Sequence, residues 1–240
     1  MMTMQTDSGV PILDVIGLCV RYGKVEALHN VAIKVRPGQI VSVIGPNGAG
    51  KSTLLNLLSG VYRPDSGTVT FEGADLTHLR AHRRVRYGIA RTFQKIRLFR
   101  HLSALANVVA GFHLRHDIPA WQYLLHGTAF RRDHDRCRDE AMHLLAFMGL
   151  AERAQVMAGA LSYGEQRMLE IARALATKPR LLLVDEPAAG LNAAEVDMLL
   201  ARLSALRDEG LTLLVVEHNM DLVMQLADRI LVIEDRKSVV

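Results

Sequence analysis

The sequence predicts an α/β fold, a mainly parallel sheet covered by helices, with a helical subdomain inserted into it. Three observations carry that expectation. Apolar strand-like runs alternate with helical stretches over most of the chain, the order that builds a parallel sheet with helices on its faces. The stretch from about Leu102 to Gly159 breaks this rhythm: it has helical periodicity, as in "RDEAMHLLAFMGL", and no convincing strand. And 240 residues suffice for one large domain, or one domain with a subdomain.

Taken in order, "GQIVSVIG" follows the turn Pro37-Gly38 and reads as a buried strand, and "KSTLLNLLSG" is the helix after it, stopped at Gly60. "GTVTFEG" is a short strand between glycines. Beyond the helical region, Ser162 and Glu165 of "LSYGEQRMLEIARAL" form the S-x-x-E of a capping box, so a helix opens there. Met168, Leu169, Ile171, Ala172 and Leu175 then fall at helical spacing, and Pro179 blocks continuation. "RLLLVDEP", "LTLLVVEH" and "DRILVIED" are further apolar strands, and "AAEVDMLLARLSALRDEG" is another helix. Gly164 fits this scheme poorly. Glycine in a first turn costs up to about 1 kcal/mol against alanine, unless something must approach the backbone closely. A serine hydroxyl, free N–H groups and a positive helix end make an anion site; the plainer reading is that Ser162 and Glu165 only cap.

Composition sets the context. Half of the chain is hydrophobic, yet no apolar run approaches the ~18 residues of a membrane span: Glu217 and Asp185 interrupt the best ones. "MMTMQTDSGVP" has neither the basic start nor the apolar core of a secretory signal. Two distant cysteines, Cys19 and Cys137, argue against a disulfide scaffold or a zinc site and fit a reducing cytosol. The net charge of +4 comes from 29 basic and 25 acidic residues, with the basic ones dense in "LRAHRRVRYGIAR" and "FRRDHDRCR". A solvated face or an acidic-lipid-facing surface explains that density as well as nucleic acid does. Six of the ten histidines lie between His101 and His143, and His113, His116 and Asp117 have the look of a metal site without a fixed partner set. Histidines spread over a polar helical face are usually only that, so no metal is expected there.

The strongest chemical signal is "GPNGAGKST", which satisfies G-x-x-x-x-G-K-[ST] between a strand and a helix. Gly45, Pro46, Asn47, Gly48, Ala49 and Gly50 form a loop whose N–H groups turn inward as a phosphate nest. Lys51 adds a point charge at the β and γ phosphates, and the Ser52 hydroxyl, followed by Thr53, can complete a Mg²⁺ shell. In "LLLVDEP", Asp185 at the end of a buried strand suits a Mg²⁺-bound water, and Glu186 is the natural general base for an attacking water. Acids at a strand end are weak evidence alone; beside a phosphate loop they are strong.

The order phosphate loop, "LSYGEQ", "LLLVDEP", then a histidine after a strand in "VVEHNMD" resembles the ATP-binding-cassette (ABC) ATPases, and the resemblance runs from "LCVRYGKVEALHNV" to "ADRILVI". It implies a P-loop NTPase, an ABC nucleotide-binding domain over 12–235 that hydrolyses ATP with Mg²⁺. Its RecA-like core would cover about 12–100 and 160–235, with an N-terminal antiparallel β part and a helical subdomain over about 101–160. A flexible segment, 1–11, would precede it and a tail, 236–240, would follow. The resemblance assigns Tyr22 to stacking on adenine, Gln94 of "RTFQ" to sensing Mg²⁺ and the attacking water, and His218 to the γ-phosphate. Ser162, Tyr163, Gly164, Glu165 and Gln166 stand where the family signature usually reads LSGGQ. In the family two cassettes pack head to tail, so Ser162 and Gly164 would hold the γ-phosphate of ATP on a second ABC ATPase subunit, identical or paralogous. That would answer the question posed by Gly164.

"GIARTFQKIRLFRHLSALANV", the tyrosine of "LSYGEQ", and "DEPAAGLNAAE" followed by "EHNMDLVM" look like the ATPases of branched-chain amino-acid importers. This implies a peripheral protein at the cytoplasmic face of the membrane, working with two permease subunits and, indirectly, a substrate-binding protein. The permease contact would be "RLFR" and the insert through Arg138. Urea or amide importers, lipid or lipopolysaccharide exporters, and soluble cassette ATPases acting on nucleic acid or assembly machinery are the rival readings. No long coiled coil or second cassette of the soluble classes is present, so no nucleic acid is expected. Asn192 stands where many cassettes carry Asp, and Ala193 where a proline is common. After "RILVIED" the family turns through a glycine into another strand and helix, whereas here "RKSVV" simply ends; loss of that tail and truncation both remain open.

Overall fold

The computed structural model describes residues 10–112, 128–234 and 236–239. Two sheets organise it. In the first, β1 (Leu13–Tyr22), β2 (Val25–Val35), β4 (Ser66–Phe71) and β5 (Ala74–Asp75) run antiparallel in the order β2-β1-β4-β5. The second contains β3 (Ile40–Ile44), β6 (Ile89–Arg91), β7 (Leu181–Asp185), β8 (Thr212–Val216), β9 (Arg229–Glu234) and β10 (Lys237–Val239), in the order β10-β9-β3-β8-β7-β6. All its neighbours pair in parallel except β10, which returns antiparallel along β9. Among the described residues the α-helices are α1 (Lys51–Leu58), α2 (Ala81–Arg86), α3 (Ala104–Phe112), α4 (Thr128–Phe147), α5 (Tyr163–Leu175), α6 (Ala193–Asp208) and α7 (Met220–Leu226).

The side-chain period of two divides the molecule into two cores. On β7 and β8, Leu182, Val184, Leu213 and Val215 face a core shared with α3, α4, α5, α6 and α7. Leu181, Leu183, Leu214 and Val216 point to the opposite face, where α1 and the antiparallel sheet close a second core. Every residue of β7 and β8 is buried, so these strands read as unbroken apolar runs rather than alternating ones. Each such leucine contributes roughly 1.5–3 kcal/mol by leaving water.

The segment that breaks the strand–helix rhythm is helical where it is described. α3 packs against both α4 and α5. Gly111 sits at a close approach of α3 to α5, where a Cβ would lie 2.5 Å from Arg173 O and 2.8 Å from Ala176 Cβ. An isolated bridge between Ser103 and Met157 adds one strand-like contact. His113, His116 and Asp117 lie outside the described residues.

Several elements were not read from the sequence, α2 and β5 among them. β6 has three residues, too few for a period. α7 is seven residues long and opens at Asn219, whose side chain accepts from Asp221 N and Leu222 N. Residues 237–239, read above as part of a tail, form β10, reached through a turn in which Arg236 adopts φ 66° where a glycine was expected.

Candidate active site

Because β3, β6, β7 and β8 run parallel, the loops leaving their C-terminal ends emerge on one edge of the sheet, where open α/β sheets bind ligands. Those loops carry residues 45–50, 92–103, 186–192 and 217–219. Gln94, Glu186 and His218, far apart in sequence, thereby share an edge with the loop before Lys51.

The loop between β3 and α1 is held by close packing on both sides. A Cβ at Gly45 would stand 2.2 Å from Ile233 O, and one at Gly50 would stand 2.7 Å from Ala27 O. Gly50 is the α1 N-cap in the left-handed region (φ 101°) and supplies no side-chain cap, so the first-turn N–H groups keep their anion-binding character. Lys51 is 7% exposed, and its Nζ donates to Gly45 O at 2.7 Å and Pro46 O at 3.0 Å. Pro46, Asn47, Gly48 and Ser52 are exposed, Ala49 is buried, and Gly45 and Thr53 are half-buried.

Asp185 ends β7 and is buried. Its Oδ2 accepts from Arg91 Nη2 at 2.9 Å, while Oδ1 is buried without a protein partner. That orphaned oxygen fits a carboxylate meant to hold an ion or its water shell. Arg91 also donates to Asn56 Oδ1 at 2.6 Å and Ser59 Oγ at 3.1 Å, which ties β6, β7 and α1 together. Burial pushes its guanidinium below the usual arginine range, and Asp185 opposes that shift. Sequence reasoning passed over Arg91, because an arginine on a three-residue strand carries no pattern.

Glu186 follows in the left-handed region (φ 44°), pinned by its N–H donating to Val216 O at 2.9 Å. Its Oε2 accepts from Gln94 Nε2 at 2.9 Å. His218 is exposed, and its N–H donates to Glu217 Oε2 at 3.2 Å. Glu217, 1% exposed, also accepts from Ala188 N at 3.0 Å through Oε1, so one buried carboxylate braces the loops carrying Glu186 and His218. In the sequence it looked only like the charge that ends an apolar strand.

Tyr22 ends β1, half exposed, and makes an edge contact with Tyr62, the ring centroids 5.5 Å apart. Burial pushes its phenol up, against a hydrogen bond with Thr53 that lowers it. Tyr62, which follows α1, was not singled out from sequence.

The "LSYGEQ" segment opens α5 as expected: Glu165 N donates to Ser162 Oγ at 3.2 Å and Ser162 N to Glu165 Oε2 at 2.8 Å. Gln166 Nε2 donates to Leu161 O, and Arg153 pairs with Glu165. The group that approaches Gly164 comes from this chain: a Cβ there would stand 2.3 Å from Glu195 Oε1. Asn192 caps α6 in a second capping box with Glu195, and Ala193 takes the first helical position, where a proline is also tolerated. No described hydrogen bond or ion pair joins residues 162–166 to the loop of residues 45–53. Among the described residues there is no metal-ligating cluster of three or more His, Cys, Asp or Glu, and no helix long and apolar enough to cross a membrane.

A glycine-lined loop before a helix, a lysine folded into it and two strand-end carboxylates on the same edge define a P-loop nucleotide-binding cassette. The chain matches the ABC transporter family model over residues 28–189 and belongs to that family, whose cassettes bind and hydrolyse ATP. It is 44% identical over 224 residues to the high-affinity branched-chain amino acid transport ATP-binding protein BraF of Pseudomonas aeruginosa, covering 93% of this chain and 88% of BraF. It is 42% identical to the corresponding protein LivG of Escherichia coli K12, with the same coverage. Among solved structures it is similar to a nucleotide-free ATP-binding cassette from an ABC transporter, with a TM-score of 0.84 and 30% identity over 96% of this chain and 90% of that one. A dimeric cassette in a post-hydrolysis state, bound to ADP and Pi, has a TM-score of 0.80 and 26% identity, covering 94% of this chain and 96% of its own.

Proposed function

We propose that the protein is the ATP-hydrolysing subunit of an importer for branched-chain amino acids, peripheral at the cytoplasmic face of the membrane. The observation that carries the chemistry is the Glu186–Gln94 contact, 2.9 Å long, on the edge shared with the Lys51 loop. In this reading the N–H groups of residues 45–53 and the Lys51 ammonium bind the phosphates, and Tyr22 stacks on adenine with Tyr62 beside it. Glu186 takes the proton of the attacking water, Gln94 orients Glu186 and that water, and His218 meets the γ-phosphate. Ser52, Asp185 and Gln94 would hold Mg²⁺, which supplies charge neutralisation at the phosphates when bound.

Ser162 and Gly164, with Tyr163, Glu165 and Gln166 around them, serve the nucleotide of a second cassette, and a two-fold dimer has two such composite sites. Two permease subunits, and through them a substrate-binding protein, complete the assembly. A cavity of ≈ 550 Å³ lined by Ala81, Val85, Arg97, Leu98 and Phe99 is the proposed seat for a permease helix. The branched-chain substrate rests on the likeness to BraF and LivG.

The test is Glu186→Gln in the full chain. The amide cannot accept the proton, while every phosphate contact remains. ATP binding should stay within about twofold, and turnover should fall by roughly 10²–10⁴, the usual weight of a general base. Wild-type turnover in this variant removes Glu186 from that role.

A further inference from the structure

We infer that Tyr163, Arg167 and Glu170 form a positioning device on α5 that sets the Gln94 loop and, through it, the contact between Gln94 and Glu186. The inference rests on the ATPase reading above; it adds Arg167 and Glu170 to the residues named there and gives the Tyr163 hydroxyl a second task within its own chain.

Residues 92–103 leave β6 without entering a helix or strand, so their main-chain groups need partners from elsewhere. One buried ion pair supplies four of them, at Phe93, Gln94 and Arg97. Arg167 Nη1 donates to Phe93 O at 2.8 Å, and Nη2 donates to Gln94 O at 3.0 Å. Glu170 Oε1 accepts from Phe93 N at 3.4 Å and Arg97 N at 3.2 Å. The two side chains meet at 2.9 Å, and their side chains are 0% and 2% exposed. Arg173 adds a hydrogen bond to Arg97 O. Arginine suits this task because its planar fork holds several acceptors in one fixed geometry.

The fourth acceptor on Arg167 is Tyr163. Its hydroxyl accepts from Nη2 at 3.2 Å, and the guanidinium stands 5.8 Å from the ring centroid. The same ring lies against Gly190, where a Cβ would be 3.0 Å from Tyr163 Cε1. Gly190 belongs to the loop that begins at Glu186. Tyr163 therefore touches the loop of the proposed base, and through Arg167 it touches the main chain of the residue whose amide meets that base. Because Arg167 holds the Gln94 carbonyl, a shift of the guanidinium displaces the amide from Glu186.

Tyr163→Phe keeps the ring against Gly190 and removes only the hydroxyl acceptor. Steady-state ATP hydrolysis by the purified full chain is measured for wild type, Tyr163→Phe, Gln94→Ala and the double variant. We expect Tyr163→Phe to lower kcat about fivefold, the effect of one hydrogen bond of ordinary net strength on a rate, with KM for ATP within about twofold. The double variant should be no slower than Gln94→Ala alone, since the hydroxyl acts through Gln94. Three results overturn the inference: an unchanged kcat, a rise in KM at constant kcat, or a fivefold loss that persists in the Gln94→Ala background. If Gln94→Ala falls below detection, the kcat and KM of Tyr163→Phe decide the matter alone. A wild-type chain that hydrolyses no ATP even with its second cassette and permeases present is a different failure, because it removes the ATPase reading itself.

Discussion

At position 164 an alanine Cβ would stand 2.3 Å from Glu195 Oε1, and that carboxylate is pinned because its other oxygen accepts from Asn192 N at 3.0 Å. Gly164→Ala should therefore displace Glu195 and break the capping box of α6, at about 1 kcal/mol. In a Glu195→Ala background the same substitution should cost little, so a double-mutant cycle by denaturant unfolding should give strong non-additivity. Additive costs would show that the two residues do not meet. The adjacent carboxylates at the end of β7 should differ in the same measurement. Asp185→Ala leaves the buried Arg91 guanidinium without its counter-charge and should cost about 3–5 kcal/mol. Glu186→Gln, half-buried and free of any ion pair among the described contacts, should leave stability nearly unchanged while turnover collapses.

The two helices that meet at Gly164 begin alike, each with a reciprocal capping box: Ser162 with Glu165 on α5, and Asn192 with Glu195 on α6. Ser162→Ala should lower stability by about 1 kcal/mol, which in a chain of this size moves the thermal midpoint by roughly 2–4 °C. Calorimetry without nucleotide checks it, and a midpoint that does not move would mean the hydroxyl contributes nothing as a cap. A short local pattern makes such caps legible, and both boxes stand in the sequence as S-x-x-E and N-x-x-E. β6 and β10 were not, because three residues held by their neighbours' hydrogen bonds carry no period of their own.

For the whole molecule, the proposed dimer makes an expectation that no single chain can meet. In a linked dimer, Lys51→Ala in one half and Ser162→Arg in the other should damage a single composite site, leaving one competent to trap nucleotide. Both substitutions in the same half should damage both sites. Trapped nucleotide per dimer is the quantity to measure, and equal trapping in the two arrangements would sink the head-to-tail assignment. If Ser162 served its own chain's nucleotide, the two outcomes would exchange.

What the sequence determined by itself was whatever is local in chain or composition. The phosphate loop, the capping box at Ser162, the buried strands and the strand-end acids Asp185 and Glu186 are consecutive residues whose chemistry follows from their order. Ordered motifs along the chain were enough to reach the family. Tertiary structure alone decided what depends on distant segments meeting. Arg91 neutralises Asp185, Glu217 braces the loops of Glu186 and His218, and Tyr62 stands beside Tyr22. The glycine at 164 was legible as a demand for space, but not that Glu195 fills it. These contacts join residues up to 94 positions apart, as in the Arg91–Asp185 pair. No period or motif spans such a gap, because the parallel sheet sets which loops share an edge only once its strands have paired.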